Sequence, residues 1–236
     1  INQLSLSLAA TLKIVPLNLD EPTEDISVDA ALDSAGYNSA WKAGIDSVDV
    51  SADLVCLGEM GIGNTSIAAA LCAGLFGGKA ADWVGPGTGI DNDGLLRKIK
   101  VIDKALYHHR GSLDDPLELL RCVGGREFVA IVGAILSARL ARIPVILDGY
   151  ACTAAAAVLY AMRSDTIDHC LVSHKSAEPG HSKLLEKIDK QPLFDFSLRL
   201  GEASGAAIAA GILKTAVSIH NGMSTFNEAN VSGAEL

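Results

Sequence analysis

Two glutamates stand in sequence contexts that suit proton transfer. Glu59 follows an apolar run and precedes the glycine-rich residues 61–65, and Glu202 is flanked by glycine and small apolar residues. Apolar surroundings disfavour the charged form of a carboxylate, which makes it a stronger base near neutral pH. Both are therefore candidates for general-base chemistry. A place in the first turn of the following Ala-rich helix is an alternative explanation for Glu202.

Two glycine-rich segments are candidates for holding a phosphate. Residues 61–65 begin a predicted helix, where glycines let backbone N–H groups approach an anion. Residues 85–89 precede another predicted helix, which carries Lys98. The first segment lacks the lysine of a P-loop and the third glycine of a dinucleotide fingerprint. Tight turns before helices, and a solvated surface lysine, remain alternatives.

Two further polar segments follow apolar runs. Asp148 ends one run and suits hydrogen bonding to ribose hydroxyls, with capping of the next helix as the alternative. Residues 173–180 follow another run and contain His174, for which a structural role competes with positioning a ligand. No cluster of side chains has metal-ligand spacing, so the sequence predicts no metal.

The elements that position these residues are short apolar runs alternating with Ala-rich segments. This pattern predicts an α/β fold, with a Rossmann-like parallel sheet flanked by helices, helical C-terminal additions and a single domain over residues 1–236. Ligands bind at the carboxyl ends of such strands. Strands are predicted at 53–57, 143–147 and 169–172, with an edge strand at 13–19. Helices are predicted at 4–12, 38–51, 65–75, 91–108, 116–122, 127–142, 152–162, 181–190 and 204–221.

Composition excludes several classes of protein. The 236 residues are 49% hydrophobic, which argues against intrinsic disorder. A net charge of −9 disfavours nucleic-acid and anionic membrane partners. We find neither a bilayer-length apolar run nor a signal peptide pattern. Five widely spaced cysteines without a Cys-x-x-Cys pair indicate reduced, buried thiols. Together these features predict a cytoplasmic protein.

Four motifs in a fixed order carry a family resemblance. The chain resembles the nicotinate-nucleotide:dimethylbenzimidazole phosphoribosyltransferases of cobalamin lower-ligand assembly, from about Leu4 onwards. The motifs are Gly58-Glu-Met-Gly-Ile-Gly-Asn-Thr65, Leu147-Asp-Gly149, Ser173-His-Lys-Ser-Ala-Glu178 and Leu198-Arg-Leu-Gly-Glu-Ala-Ser-Gly-Ala-Ala207.

The resemblance implies a reaction and a set of residue roles. The family moves phosphoribose from nicotinate mononucleotide to 5,6-dimethylbenzimidazole, giving α-ribazole 5′-phosphate and nicotinate without a cofactor or metal. The resemblance assigns the catalytic base to Glu202 and binding of the aromatic base to Glu59. It also implies a homodimer. Further substrate contacts fall on Met60, Gly61, Gly63, Asn64, Thr65, Gly87, Lys98, Asp148, Gly149, Ser176 and Leu200.

One departure from the family leaves alternatives open. Family members carry a further N-terminal region with Pro-Pro-Gly-Ser-Leu-Gly and Asp-His-Gly-Val segments, which contributes to the wall around the aromatic base. Neither segment occurs in this sequence. The alternatives to an active transferase are a nucleotide-binding module with an incomplete base pocket, or a related protein that binds another nucleotide.

Overall fold

The computed structural model describes residues 1–87 and 89–232, and its centre is a parallel sheet. Four strands lie side by side in chain order, which confirms the predicted α/β fold. Val55 pairs with Val145, which pairs in turn with Cys170. The strands are β1 (Val55–Leu57), β2 (Val145–Leu147), β3 (Cys170–His174) and β4 (Pro192–Phe194).

Helices connect and flank these strands. Between β1 and β2 the chain forms four α-helices, whereas single helices join β2 to β3 and β3 to β4. Short 3-10 helices occupy Ala80–Asp82 and Ser164–Ile167. The α-helices are α1 (Asn2–Leu8), α2 (Ser34–Ser47), α3 (Asn64–Phe76), α4 (Asn92–His108), α5 (Pro116–Val123), α6 (Arg126–Leu140), α7 (Gly149–Met162), α8 (Pro179–Lys187) and α9 (Ser204–Gly222).

Helix α7 forms the centre of the main core. Its residues are buried from Gly149 to Leu159, and it packs against α3, α6 and β3. Its run of four alanines, residues 154–157, is inaccessible to solvent. Small side chains allow neighbouring helices to approach closely on every side. Successive strand residues point to opposite faces, so Val145 and Leu147 face this core while Ile146 faces away.

Helix α9 covers the opposite face of the sheet. Ala206 and Ala209 pack against Ile146 in a second, smaller apolar cluster. Beyond these positions the helix is largely exposed, and large apolar side chains such as Ile212, Val217 and Ile219 face solvent. Only the first half of α9 is therefore integrated into the fold.

One strand prediction was wrong, and one strand was missed. Residues 13–19 form no strand and lie outside the sheet, and the side chain of Lys13 donates to the carbonyl of Asp46. Conversely, β4 was missed because three residues beginning with a proline are too short to show a pattern. Helix α8 begins at Pro179, before the predicted start, since proline is favoured in the first turn.

Two remaining observations concern thiols and membranes. All five cysteines are free, and four of them are buried. Over the residues that the structure describes, no helix combines the length and apolar character that crossing a bilayer requires.

Candidate functional site

The candidate site lies at the carboxyl edge of the sheet. Because the strands are parallel, the residues after β1, β2 and β3 meet there. These residues include Glu59, Asp148 and Ser176. The turn before α9 joins them, since the amide of Glu202 donates to the carbonyl of Glu59 at 3.1 Å. The two candidate bases, 143 positions apart in sequence, are thereby adjacent.

Glu59 is held by the turn that follows it. Its Oε2 accepts hydrogen bonds from the amide of Gly61 at 2.8 Å and from the side-chain amide of Asn64, which is buried. Burial raises the pKa of Glu59, the bonds from Gly61 and Asn64 oppose that rise, and the nearby carboxylates of Glu127 and Asp148 add to it. Glu59 therefore shows the desolvation that its sequence context predicts.

Glu202 lies in a left-handed turn rather than in α9. Gly201, Glu202 and Ala203 have φ angles of +83°, +60° and +59°, and the helix begins only at Ser204. The alternative that placed Glu202 in the first helical turn was therefore wrong. A left-handed conformation costs a non-glycine residue about 1–2 kcal/mol. The Glu202 side chain is 34% exposed.

An open cleft of about 600 Å³ lies in front of Glu202. Apolar side chains dominate its lining, which is formed by Ile1, Asn2, Gln3, Leu4, Ile14, Met60 and Glu202. An apolar cleft with a single carboxylate suits an aromatic ring that carries one exchangeable proton. Met60 and Leu200, two predicted contacts, are each 67% exposed and therefore free to meet a ligand.

Asp148 is buried beneath the turn that carries Glu202. Its Oδ1 accepts the amide of Ala206 in α9 at 3.0 Å, whereas it forms no side-chain cap for α7. Asp148 thus occupies the N-cap position of α7, as the alternative predicted, but its side chain forms no capping hydrogen bond there. Burial raises the pKa of Asp148 to about 6, although bonds from the amides of Ala206, Gly205 and Ala203 lower it. Its Oδ2 is buried without a partner among the described residues.

Lys98 connects the two glycine-rich segments. Its Nζ donates to Thr65 Oγ1 at 2.8 Å and to the carbonyl of Gly85 at 3.1 Å. Burial lowers the pKa of Lys98, and the negative charge of Glu178 opposes this shift. Thr65 lies in the first turn of α3, whose N-cap is Gly63 with φ +82°. A cation is thus fixed between a helix N-terminus and a glycine-rich loop, as an anion site requires.

Arg199 supplies a second cation at the same loop. Its Nη2 donates to the carbonyl of Gly87, which has φ +56°, at 2.5 Å. Because Arg199 is three residues before Glu202, this bond connects the loop near Lys98 with the turn of the candidate base. Thr88, within the predicted phosphate loop, lies outside the described residues.

A neutral histidine fixes the Ser176 loop against the start of α7. His181 Nδ1 accepts the amide of Ser176 at 3.0 Å, and its Nε2 lies 3.1 Å from Thr153 Oγ1. Thr153 in turn donates to the carbonyl of Gly149 at 2.6 Å. Burial lowers the pKa of His181 to about 3, so the ring stays uncharged with its proton on Nε2.

His174 is also a buried structural group. Its Nδ1 lies 2.8 Å from Ser173 Oγ and 3.8 Å from Asp148 Oδ1, and burial lowers its pKa. It lies against the buried carboxylate of Asp148 and is not among the residues that line the cleft. Over the two described stretches of chain, no group of three or more His, Cys, Asp or Glu is arranged to hold a metal ion.

Three residues near the site were not identified as candidates from sequence. Arg199 and His181 lie within or next to motifs whose neighbours were chosen, so proximity in sequence was an available signal. Glu127, at the start of α6, contacts the site closely, since a Cβ on Gly61 would overlap its Oε1. Nothing in the local sequence marks Glu127, because only folding brings it there.

Comparisons with known proteins give a consistent picture. A family model described as "Phosphoribosyltransferase" matches residues 1–231. The nicotinate-nucleotide–dimethylbenzimidazole phosphoribosyltransferase of Brucella canis is 51% identical over 235 residues, which are 100% of this chain and 69% of that protein. The enzyme of the same name from Rhizobium etli is 51% identical over 233 residues, with 99% and 69% covered.

A solved structure matches the fold. The crystal structure of CobT from Thermus thermophilus superposes with a TM-score of 0.86 at 36% identity and covers 99% of this chain and 75% of the other. A second structure from that organism, described as a nicotinate-nucleotide–dimethylbenzimidazole phosphoribosyltransferase, gives 0.84 and 35%, with 99% and 74% covered.

Proposed function

Because the chain belongs to the nicotinate-nucleotide–dimethylbenzimidazole phosphoribosyltransferase family, we propose that it moves phosphoribose from nicotinate mononucleotide to 5,6-dimethylbenzimidazole. The products are α-ribazole 5′-phosphate and nicotinate. The observation that carries this proposal is the contact between the Glu202 turn and Glu59 at the mouth of an apolar cleft. Two substrates can meet there, one at the glycine-rich segments and one in the cleft.

The nucleotide half of the proposed site is polar and cationic. The phosphate binds to the amides of the α3 N-terminus and to Lys98, with Arg199 as a second cation at the same loop. The ribose lies at the junction of β2 and α7. The proposed nucleotide contacts are Gly61, Gly63, Asn64, Thr65, Gly87, Lys98, Asp148, Gly149 and Ser176.

Glu202 is the proposed general base. One nitrogen of dimethylbenzimidazole attacks C1′ of the ribose, and Glu202 takes the proton from the other nitrogen. The bond from C1′ to the nicotinate nitrogen breaks, and its electron pair neutralises the pyridinium. No acid is needed for this leaving group. Glu59, Met60 and Leu200 bind and orient the aromatic base, whose ring fits the apolar cleft.

Nicotinate release tests the proposal. The chain is incubated with nicotinate mononucleotide, with and without dimethylbenzimidazole, beside Glu202→Gln and the matched control Glu186→Gln, an exposed glutamate on α8. We expect base-dependent release by the wild type and by Glu186→Gln. Loss of the base should lower the rate about 10²- to 10⁴-fold in Glu202→Gln, with nucleotide binding retained.

Other outcomes identify the alternatives. Nucleotide binding without release would indicate a binding module with an incomplete base pocket. Competition by adenine nucleotides at similar affinity would indicate a related protein for another nucleotide. Absence of nucleotide binding would contradict the assignment altogether.

We further propose that the protein is a cytoplasmic homodimer. Buried, reduced thiols support a reducing compartment. The exposed apolar side chains of α9, including Ile212, Val217 and Ile219, support self-association through that face. Sedimentation equilibrium measures the mass in solution, and a monomer at all concentrations would contradict the dimer.

A further inference from the structure

We propose that Asp148 is a positioning residue for Glu202, because its buried carboxylate anchors the first turn of α9 and thereby holds the left-handed turn in front of it. The inference rests on the proposed role of Glu202 as the base. It gives Asp148 a role besides its proposed contact with the ribose.

The turn that carries Glu202 needs external support. Three consecutive left-handed residues, two of them not glycine, are unfavourable in isolation. The N-cap of α9 is Ala203, whose methyl side chain cannot accept a hydrogen bond from the free amides of the first helical turn. Asp148 Oδ1 supplies the missing acceptor from 58 positions away in sequence, at 3.0 Å from the amide of Ala206.

Two glycines allow the backbone to approach closely around this contact. A Cβ on Gly205 would lie 2.8 Å from Asp148 Oδ1 and would overlap His174 Nδ1. A Cβ on Gly58 would overlap the amide nitrogen of Ala203. Glycine at both positions therefore lets α9 and its preceding turn approach the carboxylate and the end of β1.

A carboxylate here is costly for folding, which argues for a functional role. Two carboxylates face Asp148, those of Glu202 on the turn and Glu59 after β1. Its other titratable neighbours are uncharged, namely His174 on β3, Cys56 on β1 and Cys152 on α7. Within the described part of the chain, no lysine or arginine forms an ion pair with it, and Oδ2 has no partner. Burial, with a smaller contribution from the charge of Glu202, raises the pKa of Asp148 to about 6. A residue selected for stability alone would not be ionised in such surroundings.

Asp148→Asn tests the inference, because it keeps the shape and removes the charge. The matched control is Asp33→Asn, which alters a carboxylate that accepts the Gly36 amide at the N-terminus of α2. Three quantities are measured for each variant: kcat for base-dependent nicotinate release, Kd for nicotinate mononucleotide, and Tm at pH 8. Hydrogen exchange of the 203–206 amides is followed in parallel, with Asp148→Ala as a second variant.

We expect Asp148→Asn to lower kcat about 10- to 100-fold, at least tenfold more than it raises Kd, because a small displacement of a catalytic group has effects of that size. Its Tm at pH 8 should be unchanged or higher. Exchange of the 203–206 amides should be faster in both Asp148 variants, while Asp33→Asn should alter neither kcat nor this exchange.

A loss of Tm in proportion to the loss of kcat would indicate a merely structural residue and overturn the inference. A rise in Kd with unchanged kcat would leave only the ribose contact. If the wild type shows no transfer, the proposed function fails, and the exchange measurement still decides whether Asp148 holds the turn: unchanged exchange overturns the inference.

Discussion

Helices α7 and α9 are both rich in alanine and flank the same sheet, yet their surroundings differ. α7 is buried over most of its length among other helices, whereas α9 is buried only near its start. The polar contact at α7 is neutral, since Thr153 bonds to the uncharged His181. The contact at α9 is a carboxylate, Asp148, that accepts helix amides.

This difference indicates that the two faces of the sheet have different roles, one in stability and one at the candidate site. The α7 face provides a buried core and a rigid support for the segments that we propose bind the nucleotide. The α9 face carries the strained turn, the buried charge and the proposed base. The two faces should also respond to acid in opposite directions, because protonation is unfavourable at His181 and favourable at Asp148.

The largest expected effect is on the pH dependence of stability through His181. Its pKa is about 3 in the folded protein and ordinarily 6.5, so the unfolded chain binds more protons between these values. Folding is therefore weakened as the pH falls, by about 3 kcal/mol between pH 7 and 4. Urea unfolding of His181→Gln at both pH values should lack this loss.

Asp148 contributes with the opposite sign. Its folded pKa of about 6 exceeds the ordinary value of 3.8, so acidification from pH 7 to 4 favours the folded state by about 2 kcal/mol. Asp148→Asn should therefore lose stability more steeply on acidification than the wild type. If the free energy of unfolding changed with pH in the same way in the wild type, His181→Gln and Asp148→Asn, the predicted opposite effects of the two residues would be contradicted.

The next effect concerns packing around the two helices. Ala155→Leu enlarges a solvent-inaccessible side chain of α7, and overpacking of this kind costs about 1–3 kcal/mol. Ala216→Leu makes the same change at an exposed position of α9 and should alter the free energy of unfolding by less than about 0.5 kcal/mol. Equal losses in urea unfolding would show that α9 is packed as tightly as α7.

A smaller effect separates the two half-sites. Lys98→Gln removes the cation between the glycine-rich segments and should weaken binding of nicotinate mononucleotide about tenfold, or about 1.4 kcal/mol. Binding of dimethylbenzimidazole should be unchanged. Calorimetric titration with each ligand measures both. An equal loss of affinity for the two ligands would contradict the proposal that they bind at separate parts of the site.

The smallest expected effect on folding is at the outer surface of α9. Val217 is 58% exposed, so Val217→Ser should change the free energy of monomer unfolding by less than about 0.5 kcal/mol. If that face mediates the proposed dimer, self-association should weaken. Sedimentation equilibrium of both proteins provides the comparison, and unchanged association would place the interface elsewhere.

The sequence predicted the strands that lie in longer apolar runs and missed the contacts between distant segments. Apolar runs identified β1, β2 and β3, and the rule that ligands bind after parallel strands selected the segments of Glu59, Asp148 and Ser176. The partner of Asp148 was not predictable, because it depends on α9 crossing the other face of the sheet. The same holds for Arg199, which reaches Gly87 across 112 positions.

The order of the strands also has a consequence during protein synthesis. Each strand is added next to the one that precedes it in the chain, so the sheet can grow as it leaves the ribosome. The glycine-rich segments, Lys98 and Asp148 emerge before the turn at Glu202. A nascent chain that ends at β4 lacks α9, which covers one face of the sheet, and lacks the proposed general base. Translation therefore completes the segments proposed to hold the nucleotide before it completes the turn that carries the proposed base.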